Sequence, residues 1–143
     1  MDNKQINIGL FGFGTVGKGL YDVLKKIQPE NVSIVKVCVR NVAKHSAEAP
    51  ELEFTSNADD IFTDSRINFI VELIDDAEAA YGIVKRALQA KIPVVSGNKK
   101  MLARHIQEMI QLQRDNDTAL LYDASACGSI PVIRNLEEYY DND

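Results

Sequence analysis

Short apolar runs alternate with amphipathic stretches along this chain, and no other feature constrains its fold as tightly. The segments "INIGLF" (6–11), "SIVKVCVR" (33–40), "NFIVELI" (68–74), "IPVVS" (92–96) and "TALLYD" (118–123) have strand length, and most are rich in Val and Ile. Between them the apolar spacing changes. Val16, Leu20, Val23, Leu24 and Ile27 recur as one face of a helix, as do Ala80, Ile83, Val84, Ala87 and Leu88, and again Leu102, Ile106, Met109 and Ile110. Pro131 suits the first turn of a closing helix that reaches about Tyr140. Segment 41–57 has no clear period and reads as a loop with a short strand near Glu53–Thr55. Strands this apolar cannot face water on either side, so the alternation predicts an α/β fold, a mostly parallel sheet with helices on both faces. With no internal repeat and no dividing linker, residues 1–143 read as one domain.

The bulk numbers exclude several classes. Hydrophobic residues make up 45% of the chain and charged residues 26%, the balance of an ordinary globular protein. The net charge is −5 with the basic residues scattered, which argues against an extended surface for nucleic acid or anionic membrane. No run approaches membrane-spanning length and the start, "MDNKQ", is unlike a signal peptide, so the sequence predicts a cytoplasmic location. Cys38 and Cys127 lack any metal-ligand or CxxC spacing and read as small buried hydrophobes in a reducing compartment.

Gly12-Phe13-Gly14-Thr15-Val16-Gly17 fits GxGxxG where the first strand ends and the first helix begins. In that context the first glycine permits a tight turn, the second lets a diphosphate approach the backbone, and the third brings helix and strand together. The helix N-terminus then offers free amides and the positive end of its dipole. This points to a Rossmann-type doubly wound sheet that binds a dinucleotide. At the end of the second strand, where NAD-binding proteins place an acidic residue, stand Arg40, Asn41 and Lys44, with no carboxylate before Glu48. A cation there can pair with a 2′-phosphate, which favours NADP over NAD. Asn98 and Lys99 follow a strand's C-terminal end, at the rim where open α/β sheets hold ligands.

"GLFGFGTVGKG", "FIVELI", "VVSGNKKMLA" and "LLYDASACGSIPVI" occur in the order and spacing of the nucleotide-binding region of homoserine dehydrogenases, which the chain resembles from Ile6 to Leu136. The resemblance implies a fragment of an oxidoreductase that interconverts aspartate 4-semialdehyde and homoserine by hydride transfer with NADPH or NADH, acting as a homodimer when intact. It further implies that Gly12, Phe13, Gly14, Thr15, Val16, Gly17, Arg40, Ile74, Ser96, Asn98 and Lys99 bind the cofactor, with Lys99 also catalytic. Asp123, Ala126, Gly128 and Ile130 match the family's loop for a sodium-like cation. Two other readings remain open: a stand-alone module that senses NADP, and a dehydrogenase acting on another semialdehyde or a sugar.

The chain departs from the family in three places. Asp75-Asp76 replaces the usual Gly-Gly pair, which places two carboxylates near a bound polyanion unless they cap the next helix. Asp123 stands where the family's cation loop has glutamate. The chain stops at "LEEYYDND", ahead of the family's dimerisation and substrate domain, and reads as the front portion of a longer enzyme that binds nucleotide without turnover. Glu72 is expected to accept hydrogen bonds from the amides of the next helix, while His45 and His105 read as surface residues.

Overall fold

A computed structural model of the chain describes residues 5–122. Its strands are β1 (Ile6–Phe11), β2 (Val32–Cys38), β3 (Phe54–Thr55), β4 (Phe69–Glu72), β5 (Val94–Ser96) and β6 (Leu120–Tyr122). The helices are α1 (Thr15–Ile27), α2 (Val42–Glu48), α3 (Asp59–Phe62), α4 (Ala77–Gln89) and α5 (Lys99–Asn116). All strand pairs are parallel, and the sheet runs β3-β2-β1-β4-β5-β6.

Successive side chains of a strand point to opposite faces, and here that period sorts the apolar residues into two cores. Ile6, Ile8 and Leu10 of β1, Phe69 and Val71 of β4, and Val95 of β5 pack with Leu20 and Leu24 of α1. Phe11, Ile70 and Val94 point the other way, onto Ala80, Val84, Ala87 and Leu88 of α4 and Met101 and Met109 of α5. Both faces of the sheet are therefore covered, as the apolar strands required.

The order reverses at β1: the chain winds outward to β2 and β3, then returns to place β4 on the other flank of β1. The loops leaving the C-terminal ends of β1 and β4 thus go to opposite faces and leave a crevice between them, where open α/β sheets bind ligands.

Two segments differ from the sequence expectation. Segment 41–57 contains α2 as well as the expected short strand; α2 buries none of its residues and so carries no apolar period to read. The fourth strand stops at Glu72, two residues short of the apolar run, because the chain turns there toward α4. The expected closing helix lies outside the described residues. Among the described residues, no helix is long and apolar enough to cross a membrane.

Candidate functional site

The crevice holds a cleft of about 750 Å³. One wall is the β1–α1 turn, Gly12 to Val16; another is Leu73 to Asp76 with Ala79 and Ile83 of α4; Val39, Arg40, Asn41, Lys44 and His45 contribute from the end of β2 and from α2.

Gly12 has φ +96° and donates its N–H to the Cys38 carbonyl at 3.0 Å. A Cβ there would stand 2.7 Å from the Leu73 carbonyl oxygen, and one on Gly17 would stand 2.5 Å from that of Gly12. These two contacts hold turn, helix and β4 together. Gly14 differs: a Cβ added to it would meet nothing within 4 Å. It is also the N-cap of α1, so no side chain caps the helix, and the first turn carries no acidic residue. The opening amides of α1 therefore face the cleft with their dipole uncancelled, as a dinucleotide's diphosphate requires.

Arg40 is exposed and lines the cleft. Across the opening, Asp76 caps α4, its Oδ1 accepting from the N–H groups of Glu78 and Ala79, each at 2.9 Å. Those two hydrogen bonds hold the Asp76 carboxyl below the usual carboxylate range, and the charge of Arg40 adds to the effect. Capping accounts for Asp76, while Asp75 is exposed and also lines the cleft.

The ends of β4 and β5 are joined by a ring of hydrogen bonds. Glu72, fully buried, accepts from the Ser96 hydroxyl at 2.6 Å and from the Ile74 amide at 2.7 Å. Ser96 Oγ accepts from the Asn98 amide at 3.1 Å, and Asn98 Nδ2 donates to the Ile74 carbonyl at 2.8 Å and the Asp75 carbonyl at 3.3 Å. Asn98 also caps α5, its Oδ1 accepting from the Met101 amide at 2.8 Å. Burial pushes the Glu72 carboxyl up to about 7, opposed by its two hydrogen bonds and reinforced by the Asp75 charge.

Of the sequence-predicted cofactor residues, Gly12, Phe13, Gly14, Thr15, Val16, Arg40 and Ile74 line the cleft. Gly17 lies behind the turn as its packing contact. Ser96 and Asn98 are buried, their side chains committed to the ring, and Lys99 is exposed at the first position of α5, outside the cleft lining. Asp123, Ala126, Gly128 and Ile130 lie outside the described residues, as does Cys127.

Four side chains depart from the sequence reading. Glu72 bonds a loop amide rather than the amides of α4, because the chain bends back over its carboxyl before the helix begins. Cys38 is half-buried: it packs against the α4/α5-side core and also lines the cleft. His45 sits on α2 and packs edge-on against Phe13 at 5.6 Å and face-on to Phe54, so it belongs to the cleft floor. His105 stacks on Tyr81 at 3.9 Å where α5 is kinked, with φ −126° and ψ 20°. Aromatic neighbours brought in from other elements hold both histidines, and spacing along the chain carries no trace of them.

The family model described as homoserine dehydrogenase, NAD binding domain, matches residues 12–123. Homoserine dehydrogenase of Lactococcus lactis is 34% identical to the chain over 96% of its length, and that of Helicobacter pylori is 33% identical over 94%. These alignments take in 35% and 33% of the two proteins, so the chain spans about a third of the length of the curated relatives it matches. Among solved structures, homoserine dehydrogenase of Staphylococcus aureus superposes with a TM-score of 0.76 at 27% identity, covering 85% of this chain and 33% of that one. Sheet order, glycine turn and match agree: the chain belongs to the homoserine dehydrogenase family, of which it is the NAD(P)-binding domain.

Proposed function

We propose that the chain binds NADP in the β1/β4 crevice and serves as the cofactor-binding part of an enzyme that interconverts aspartate 4-semialdehyde and homoserine. The observation that carries this is the uncapped start of α1, where the space beside Gly14 stands open to the cleft. Nicotinamide, when bound, supplies the hydride; the residues of this chain bind and orient. The amides of Thr15, Val16 and Gly17, at the uncapped start of α1, hold the diphosphate. Arg40, with Lys44 beside it on the cleft wall, pairs with the adenosine 2′-phosphate. Lys99, exposed at the first position of α5, is assigned to the substrate: an ammonium there stabilises charge developing on the carbonyl oxygen.

Titrating NADPH and NADH against the chain and its Arg40→Ala variant tests the assignment. The variant weakens NADPH by about tenfold and leaves NADH unchanged, the signature of one lost charge-assisted contact. Equal binding of both nucleotides by the wild-type chain, unaltered in the variant, refutes the preference for NADP.

A further inference from the structure

We propose that Lys18 is a positioning residue for NADP specificity: by pairing with Glu48 it keeps that carboxylate off Lys44, whose ammonium stays free for the adenosine 2′-phosphate. The role rests on reading the β2 side of the cleft as the 2′-phosphate site. Lys44 and Glu48 are four residues apart on α2, and residues at that spacing stand together on one side of a helix. Left to themselves they attract each other along α2, which draws the ammonium toward the helix end away from Asn41. Arg40, Asn41 and Lys44 line the cleft, and Glu48 lies outside its lining.

The fold supplies Glu48 with a different partner. Lys18, half-buried on α1 and also outside the cleft lining, forms an ion pair with Glu48 Oε2. His45 Nδ1 lies 3.4 Å from Oε1, but its ring is charged only when protonated, so Lys18 is the constant cation. The hydrogen bond from Lys18 is also the main influence holding the Glu48 carboxyl below its usual range, and the charge of Lys44 adds less. Among the described residues, Lys44 is exposed and its side chain is in no ion pair. One lysine, reaching across from α1, thus leaves another unclaimed on the cleft wall.

The test titrates NADPH and NADH by nicotinamide fluorescence at low salt, with wild type, Lys18→Met, Lys44→Met and the two combined. Lys18→Met weakens NADPH about threefold, the effect of one exposed ion pair, while NADH is the comparison and does not follow. In the Lys44→Met background the same change at Lys18 has no further effect, because the residue it acts through is gone. Lys18→Met/Glu48→Gln returns to the wild-type ratio of the two affinities, since glutamine has no charge to draw Lys44. An equal loss on Lys18→Met with and without Lys44 overturns the role, because Lys18 then acts on the phosphate by its own charge. So does a Lys18→Met/Glu48→Gln protein that stays weak, or NADH affinity that falls in step with NADPH, as it would where α2 is merely displaced. If Lys44→Met and Arg40→Ala both leave NADPH untouched, the 2′-phosphate reading and the role fall together. Weakening by Lys44→Met with none by Lys18→Met removes the role alone.

Discussion

Burial of Glu72 ties folding stability to pH. The carboxyl titrates ordinarily at 4.5 and is pushed to about 7 by burial in the folded chain. Between those values the folded chain keeps a proton that the unfolded chain has lost, so this group's contribution to stability declines as pH rises from 4.5 through 7. The shift corresponds to on the order of 3 kcal/mol. Denaturant unfolding of wild type and Glu72→Gln at about pH 5 and about pH 8 isolates it. The stability difference between the two proteins changes by that order in favour of the glutamine variant at the higher pH, and a constant difference counts against the burial argument. Asp75 invites a second measurement. Its carboxylate lines the cleft with no cap to hold it, so Asp75→Asn tightens NADPH about threefold, less so at high salt. Affinity that is unchanged at low salt shows that Asp75 points away from the bound nucleotide.

At the level of elements, the β1–α1 turn separates glycines that build the fold from the one that leaves room. Gly17→Ala drives a methyl against the Gly12 carbonyl and costs about 2 kcal/mol of stability, read as a shift in denaturant midpoint. Gly14→Ala meets no neighbour and has an allowed φ of −82°, so its stability stays within about 0.5 kcal/mol while NADPH binding weakens about tenfold. Equal loss of stability in both variants contradicts the distinction. Much of this was legible in the sequence, because glycine spacing and strand–helix alternation are local signals. α2 was not, since a helix that buries none of its residues leaves no period. Nor was the ring: Glu72, Ser96 and Asn98 meet only because β4 and β5 pair in register, Glu72 beside Ser96. The cap at Asp76 was legible, as an aspartate just ahead of an apolar stripe.

At the scale of the whole molecule, the sheet brings cleft-lining groups from the ends of several strands to one edge, while the chain spans about a third of its relatives' length. Orienting a substrate against a cofactor accounts for about 7–11 kcal/mol of a barrier, and among the described residues the cleft lining comes from the strand ends, loops and helices of this one sheet. Assayed alone, the chain binds NADPH, yet with NADP+ as hydride acceptor it oxidises homoserine negligibly, followed as nicotinamide absorbance; turnover near that of an intact relative rules this out. The position of β1 has a consequence for synthesis. It leaves the ribosome ahead of the other five described strands, yet it lies mid-sheet, hydrogen-bonded on one side to β2 and on the other to β4. Until Phe69–Glu72 has emerged, a nascent chain carries an open flank on this apolar strand, able to pair with a neighbouring polypeptide. A pause in translation before that point leaves the chain sticky, and one after it leaves the strand sealed.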